Sequence, residues 1–234
     1  NATVIIYEKT KKVLSKVKVS GGGRCNVTNG TKSISELYKA YPRGGKKIKK
    51  IFQEFGTKDT INWFESRNVP LYTQQDNRVF PKSDNSDSII NCLFKETKNR
   101  DISLKTGVCI LKIKKEKKRL KLFFKDENLN PEIFEKVIVA TGGSPKEEGL
   151  KWLKDLGHQI EKPVPSLFTF NNPKTPIIKL MGLVAKNTQV SIQGTKLKAK
   201  GPLLITHWGF SGPAVLKTSS FGARILSEKN YLFN

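Results

Sequence analysis

The residues best suited to ligand chemistry lie in one short stretch, residues 20–29, with the sequence SGGGRCNVTN. Three consecutive glycines remove every Cβ from one side of a loop, so a large anionic ligand can approach the backbone N–H groups. Arg24 adds positive charge, and hydrogen-bonding side chains follow at Asn26, Thr28 and Asn29. The stretch is not a P-loop, because no Gly-Lys-Ser or Gly-Lys-Thr follows it. It predicts a cofactor cradle, and the alternative is a flexible surface turn.

An acidic residue precedes this loop at the end of a predicted strand. Residues 2–7 read ATVIIY, a β-branched and aromatic run that is typical of a buried parallel strand, and Glu8 follows it. Dinucleotide-binding folds use an acid at such a position to hydrogen-bond a ribose hydroxyl. Glu8 is therefore a candidate ribose ligand, and the alternative is a plain strand-end charge. The G-x-G-x-x-G turn that such folds carry about 20 residues earlier is not in the sequence.

The segments that follow alternate between helical and strand patterns. Residues 33–67 have helical periodicity with a break at Gly56, and residues 83–94 open a further amphipathic helix. A short hairpin is predicted from residues 69–72 and 78–81. A second hairpin is predicted from residues 108–113 and 120–124, joined by a lysine-rich turn.

A second glycine motif follows a predicted buried strand over residues 134–140. It consists of Thr141, Gly142 and Gly143, where glycines again allow a backbone to approach a ligand at the carboxyl edge of a sheet. A tight turn would explain the glycine pair equally well. Beyond residue 163 the pattern changes to short strands broken by proline and glycine, which predicts a domain boundary there.

The third distinctive motif is THWGFSGP at residues 206–213. His207 beside Trp208 could line a substrate pocket or act as an acid. The favoured interpretation is a structural histidine in a tight turn, because one histidine without a visible partner is weak evidence for catalysis.

The composition of the whole chain limits the possible functions. The three cysteines are widely spaced and the chain has only two histidines, which argues against disulfides, zinc and dithiol chemistry. No apolar run is long enough for a membrane span and no secretory signal is visible, so the expected compartment is the cytoplasm.

The net charge of +23 would suit a nucleic-acid partner. Only seven of the 43 basic residues are arginine, however, and phosphate and base recognition draws heavily on the arginine fork. A solvated lysine surface is therefore favoured over a dedicated nucleic-acid site. The densest basic run, residues 43–50, is the best place for such a site.

The three motifs stand in order along the chain, at residues 20–29, 140–143 and 206–213. Together with RVFP at residues 78–81 and Gly157-His158, they resemble the BaiN-like family of bacterial NAD(P)/FAD-dependent oxidoreductases. The resemblance implies an α/β fold in which an FAD/NAD(P)-binding domain of the glutathione-reductase type is interrupted by a β-rich inserted domain. The expected domains are a partial FAD-binding domain at residues 1–163 and an incomplete inserted domain at residues 164–234. The family's N-terminal G-x-G-x-x-G segment and C-terminal FAD segment are not in the sequence.

The same resemblance assigns roles to individual residues. Glu8 would hold the adenosine ribose, the glycine loop would run along the flavin, and the backbone of Val108 and Ile110 would lie near the adenine. The family has Gly-Arg-Lys before the loop where this chain has Leu14-Ser15-Lys16, so only Lys16 carries over. The expected cofactor-binding residues are Glu8, Lys16, Ser20, Gly21, Gly22, Gly23, Arg24, Cys25, Asn26, Thr28, Asn29, Val108, Ile110, Thr141, Gly142 and Gly143.

The resemblance implies a flavin-dependent enzyme that takes hydride from NAD(P)H onto FAD and reduces a small organic acceptor. No catalytic residue is assigned, since the flavin carries the chemistry in such enzymes. One alternative, suggested by the charge, is a basic nucleic-acid-binding protein or a flavoprotein that acts on RNA. Another, suggested by the missing segments, is an inactive fragment.

Overall fold

The computed structural model describes residues 2–229 and 231 of the chain, which form two compact units that divide between Ile138 and Val139. Both units mix helices and strands. The helices of the first unit are α1 (Ser15–Val19), α2 (Ile34–Leu37), α3 (Gly45–Glu54), α4 (Thr57–Glu65) and α5 (Asp87–Asn99). Its strands are β1 (Ile5–Glu8), β2 (Thr28–Asn29), β3 (Leu71–Thr73), β4 (Arg78–Pro81), β5 (Ser103–Thr106), β6 (Ile110–Glu116), β7 (Arg119–Phe124) and β8 (Glu132–Phe134).

The second unit contains fewer helices. They are α6 (Lys151–Asp155), α7 (Pro213–Phe221) and α8 (Ala223–Glu228). The strands of this unit are β9 (Phe170–Asn171), β10 (Val184–Ser191), β11 (Lys198–Thr206) and β12 (Gly209–Ser211). Short 3-10 helices cover Ser20–Gly23 and Tyr38–Ala40 in the first unit, and Glu147–Leu150 and Pro176–Leu180 in the second.

The predicted N-terminal strand forms a parallel pair with β5, in which Ile5 faces Ser103 and Glu8 faces Thr106. It is shorter than predicted, since the observed strand begins at Ile5, and it is not buried as predicted, since Ile6 is 41% exposed. The β-branched residues of β1 favour this extended pairing. The pairing places Glu8 at the end of the strand, as the pattern predicts.

The main core of the first unit lies between helices α4 and α5 and the antiparallel sheet β2-β4-β3. The hairpin β3-β4 matches the prediction for residues 69–72 and 78–81, with Leu71 opposite Pro81. The helices bury one face each because their apolar residues recur at helical spacing. The buried cluster contains Cys25, Phe64, Val69, Leu71, Val79, Ile89 and Cys92.

A three-stranded antiparallel sheet, β6-β7-β8, contains the second predicted hairpin. It is tied to the parallel pair through Tyr7, whose hydroxyl donates a hydrogen bond to Oε2 of Glu132 at 2.7 Å. Lys105 Nζ lies 3.2 Å from Oε1 of the same carboxylate. The hydrogen bond from Tyr7, aided by Lys105, lowers the pKa of Glu132 below its ordinary value.

We expect Tyr7→Phe to destabilise the protein by about 1 kcal/mol at neutral pH, because a partly exposed carboxylate loses a hydrogen bond. A carboxyl group with a lowered folded-state pKa contributes stability above its unfolded pKa and loses it as the pH falls through the folded value. The difference between the two proteins should therefore shrink below about pH 4, the ordinary range of a glutamate. Urea unfolding at pH 7 and pH 3 measures it. An equal difference at both pH values would contradict the assigned role of Glu132.

The second unit is built on a four-stranded antiparallel sheet in the order β10-β11-β12-β9. Helix α7 packs on β11 and buries Ala214, Val215 and Thr218, and the Thr218 hydroxyl donates to the Ala214 carbonyl oxygen at 2.9 Å. The sheet agrees with the β-like pattern expected beyond residue 163, but that expectation is wrong for residues 213–228, which form helices α7 and α8.

The predicted strand over residues 134–140 is wrong. Strand β8 ends at Phe134, and residues 136–140 have no regular structure. Ile138 is 94% exposed. A β-branched run becomes a buried strand only when neighbouring strands and helices cover it, and among the described residues the parallel sheet contains only β1 and β5.

The two compact units are not the two predicted domains. They divide between Ile138 and Val139, whereas the expected boundary lies near residue 163. The division of the chain into a flavin-binding and an inserted domain stays a prediction. Within the part of the chain that is described, no helix is long and apolar enough to cross a membrane.

Candidate cofactor-binding site

The glycine loop has an unusual backbone that its glycines make possible. Gly21, Gly22 and Gly23 have φ angles of 56°, 71° and 86°, in the left-handed region that residues with a Cβ rarely adopt. Cys25 has a φ of 62°, and its N–H donates to the Ser20 carbonyl oxygen at 3.0 Å, which closes the turn. The sequence SGGGRC therefore specifies a compact left-handed turn rather than a flexible one.

One side of this turn is packed and the other is open. A Cβ added at Gly21 would lie 2.7 Å from Cε1 of Phe80 and 2.8 Å from the Asn26 nitrogen. A Cβ at Gly22 or Gly23 would meet nothing within 4 Å. Phe80 thus packs against the loop at Gly21, while the backbone of Gly22 and Gly23 faces free space. The open side leaves the backbone of Gly22 and Gly23 accessible to a ligand.

Arg24 brings a fixed positive charge to the edge of the loop. Its guanidinium carbon lies 4.1 Å from the centre of the Phe80 ring, and its Nη1 lies 3.7 Å from Oδ1 of Asp84. Its Nε also donates to the Gly21 carbonyl oxygen at 3.3 Å. The side chain is one-third exposed, so its outer nitrogens remain available to an anionic ligand.

The N-terminal end of α5 holds both sides of the glycine loop. The Ser86 N–H donates to the Gly23 carbonyl oxygen at 2.9 Å, and the Ser86 hydroxyl donates to the Lys18 carbonyl oxygen at 3.0 Å. Lys18 also forms an ion pair with Asp87 at 2.6 Å. Ser86 is fully buried, so these bonds are shielded from water.

The sequence does not indicate that these residues position the loop. The pattern around Asp84, Ser86 and Asp87 predicts only the start of a helix, and that around Phe80 predicts only a hairpin. The RVFP motif at residues 78–81 was one available signal, since it belongs to the family resemblance.

The second half of the predicted site follows the loop into the sheet. Thr28 and Asn29 form β2, paired with Val79 and Arg78, and Asn29 Oδ1 accepts the Thr31 N–H at 2.8 Å. Asn26 is exposed beside the loop. Thr28 and Asn29 line a cleft of about 260 Å³. Its other lining residues are Val27, Leu37, Tyr41, Phe52, Phe55, Gly56, Thr57 and Thr60.

Cys25 has a different environment from its predicted one. Its side chain is 6% exposed and belongs to the core cluster with Val69 and Val79. The thiol therefore packs against apolar side chains, and only the backbone of Cys25 takes part in the loop. Cys25, Cys92 and Cys109 are all free thiols.

Glu8 and Val108 come together at the end of the parallel pair. The Val108 N–H donates to the Glu8 carbonyl oxygen at 3.0 Å, and β6 begins two residues later at Ile110. Oε1 of Glu8 accepts the backbone N–H of Thr10 at 2.7 Å and its hydroxyl at 2.8 Å. These bonds, the backbone bond above all, lower the pKa of Glu8. Glu8 therefore carries a charged, oriented carboxylate, as a ribose ligand requires.

The other predicted cofactor-binding residues belong neither to the glycine loop nor to the Glu8–Val108 pair. Lys16 is exposed on the short helix α1. Thr141, Gly142 and Gly143 belong to the second unit, where they are exposed and irregular. Their role towards a cofactor stays a prediction.

The third motif forms the turn from β11 to β12. His207 and Trp208 are exposed there, with their rings 4.2 Å apart. A Cβ at Gly209 would collide with the backbone of Phe170 and Asn172 on the neighbouring strand. This glycine is therefore required by strand packing. Among the described residues, no group of three or more metal-ligating side chains comes together.

The sequence of the chain matches the family model described as "HI0933-like protein Rossmann domain" over residues 1–220. The chain belongs to the HI0933-like family. This membership confirms the predicted resemblance to BaiN-like proteins and the predicted α/β class of the FAD/NAD(P)-binding fold. The matched family model is that of a Rossmann domain.

Named relatives of this HI0933-like chain include two kinds of enzyme. It is 26% identical to the 3-dehydro-bile acid delta(4,6)-reductase of Clostridium scindens, over 97% of this chain and 56% of that protein. It is 26% identical to the ribosomal RNA dihydrouridine synthase of Escherichia coli, over 93% of this chain and 54% of that protein. The corresponding Haemophilus influenzae enzyme is 24% identical, over 94% of this chain and 55% of that protein. The chain thus spans about half the length of these curated relatives.

Proposed function

We propose that this HI0933-like protein is an FAD-dependent oxidoreductase that takes hydride from NAD(P)H and passes it to an organic acceptor. The observation that carries the proposal is the glycine loop, whose backbone is packed against Phe80 on one side and open at Gly22 and Gly23 on the other. A loop of this kind allows close approach of a cofactor to the backbone. The three free cysteines suit a cytoplasmic setting.

The residues of the chain would bind and orient the cofactor, and the bound flavin would supply the hydride chemistry. Arg24 would contribute charge to an anionic part of the cofactor from its fixed position on Phe80. Glu8 would accept a hydrogen bond from a ribose hydroxyl through Oε2, since Oε1 already accepts two bonds from Thr10. The backbone of Val108 lies beside Glu8 and would face the adenosine. Thr141, Gly142 and Gly143 remain predicted cofactor-binding residues of the second unit.

An absorbance spectrum of the purified protein, before and after addition of FAD, tests this function. We expect flavin bands near about 370 and 450 nm that stay with the protein through gel filtration, and bleaching of the 450 nm band by NADH or NADPH under argon. Comparing the two nucleotides assigns the donor. A protein that takes up no FAD would contradict the proposal and favour an inactive chain.

A second candidate acceptor is RNA. Two of the relatives carry the name ribosomal RNA dihydrouridine synthase, and the chain has a net charge of +23. The other relative is named for a 3-dehydro-bile acid, which represents the small-molecule class. Adding a 3-dehydro-Δ4,6 bile acid or ribosomal RNA to the NAD(P)H-reduced protein separates the two, because only an acceptor restores the 450 nm band under argon.

A further inference from the structure

Lysine predominates on the polar side of helix α3, which also carries Gln53 and Glu54. Lys46, Lys47, Lys49 and Lys50 occupy four of the ten positions of the helix, and all four are exposed. At 100° per residue they share one continuous side, opposite Ile48, Phe52 and Phe55. We call these four residues the lysine face.

Lysines outnumber acidic residues on this side of α3, where Glu54, four residues after Lys50, is the one acidic residue of the helix. The first turn of α3 contains no acidic residue, and none of the four ammonium groups forms an ion pair in the part of the chain that is described. Lys46 lies three and four residues from Lys49 and Lys50, so like charges are neighbours along the helix and repel one another. An anionic partner would relieve this repulsion.

A concave surface adjoins the lysine face. It has a volume of about 360 Å³ and is lined by aromatic, basic and glycine residues. They are Tyr38, Lys39, Tyr41, Pro42, Gly44, Gly45, Lys46 and Lys47. Tyr41 is 43% exposed, so its ring can still stack on a planar group. Aromatic rings next to ammonium groups are the combination that binds single-stranded nucleic acid, through base stacking and phosphate contacts.

Helix α3 also lies directly beside the candidate cofactor-binding site. Its apolar side contributes Phe52, with Phe55 just beyond its end, to the cleft that Thr28 and Asn29 line. The lysine face points away from that cleft, while Tyr41 lines both the cleft and the concave surface. An RNA strand that stacks a base on Tyr41 would therefore lie next to the cleft.

We propose that the lysine face of α3, together with Tyr41, is the docking surface for the sugar–phosphate backbone of single-stranded RNA. The inference rests on the second candidate function, in which RNA is the acceptor. Phosphates would be bound by the lysines as point charges, and a base would stack on Tyr41. Affinity should therefore depend steeply on salt and little on sequence.

The test measures the binding of a fluorescein-labelled single-stranded RNA of mixed sequence by anisotropy, from about 50 to 300 mM KCl. The quadruple variant K46Q/K47Q/K49Q/K50Q is compared with a control that removes the same charge from the β6–β7 hairpin, K114Q/K115Q/K117Q/K118Q. We expect the α3 variant to bind at least about tenfold more weakly at 100 mM salt. For this variant, the slope of log K against log[salt] should be less steep by about 3, since each phosphate contact contributes about 0.7 to the slope. The control should bind nearly as tightly as the unaltered protein.

Tyr41→Leu separates stacking from charge. It should weaken binding several-fold and leave the salt slope unchanged, because no ammonium group is removed. A change in slope instead of affinity would contradict the assigned role of the ring.

Three outcomes would overturn the proposal. In the first, the unaltered protein binds no RNA, and in the second, both quadruple variants bind RNA equally more weakly than it does. The third is an α3 variant that loses binding to anionic phospholipid vesicles but keeps its RNA binding. The last would assign the face to a membrane surface. Flavin uptake and bleaching by NAD(P)H are measured on the same samples and should not change in the α3 variant. A failure of RNA docking is thereby distinguished from a failure of flavin binding.

Discussion

Replacing Phe80 with alanine is expected to destabilise the protein by about 3–5 kcal/mol and to abolish flavin uptake. Phe80 is fully buried, its ring supports Gly21 from below, and Arg24 stacks on it at 4.1 Å. Removing the ring leaves a cavity under the loop and frees the guanidinium. Urea unfolding measures the loss of stability, and the 450 nm absorbance after gel filtration with excess FAD measures uptake.

Phe94→Ala is the matched control for this prediction. Phe94 lies on α5 and is 38% exposed, so its truncation should cost much less stability and leave flavin uptake intact. If Phe80→Leu, which retains most of the apolar volume, restored stability but not flavin uptake, the ring would be positioning the loop. If Phe80→Ala bound FAD normally, the loop would not depend on Phe80 and the assignment of the site would be wrong.

Alanine at Gly21 and alanine at Gly22 should have different effects, although both residues have a positive φ. At Gly21 the new methyl group meets Phe80 and the Asn26 nitrogen, so we expect a loss of about 2–3 kcal/mol from backbone strain and overpacking together. At Gly22 the methyl group points into free space, so only the strain of about 1 kcal/mol remains.

Measuring the flavin affinity of these variants should separate an effect on cofactor binding from an effect on stability alone. Gly22→Ala places a methyl group on the open side of the loop, so we expect FAD affinity to fall at least about tenfold while the protein stays folded. Titration of the folded variant with FAD, followed by absorbance, measures this fall. Unchanged affinity in Gly22→Ala would mean that the cofactor does not approach this part of the backbone.

Local patterns predicted much of the first unit correctly. The helices at Gly45–Glu54 and Asp87–Asn99 and the two hairpins follow from periodicity and turn residues, which depend on neighbours a few positions away. The glycine loop could also be predicted, because three glycines specify a left-handed backbone that few other residues allow.

Interactions between distant residues could not be predicted in the same way. The support of the loop by Phe80 and Ser86 joins segments about 60 residues apart, and no periodicity relates them. The prediction of a strand at residues 134–140 is wrong although the apolar pattern there is clear. In the described structure no neighbouring strand pairs with residues 136–140. The burial of the Cys25 thiol likewise depends on packing that the motif itself does not encode.

The bonds from Ser86 have a consequence for the order of folding. The hydroxyl of Ser86 reaches a carbonyl oxygen 68 residues earlier in the chain, so the glycine loop cannot be fixed until that long segment has closed. Closing such a segment costs entropy before any contact repays it, whereas the backbone hydrogen bonds of helix α5 join residues only a few positions apart. We therefore expect the glycine loop to be fixed later than the helix that holds it, and a nascent chain that has not yet reached Ser86 to lack both hydrogen bonds that hold the loop.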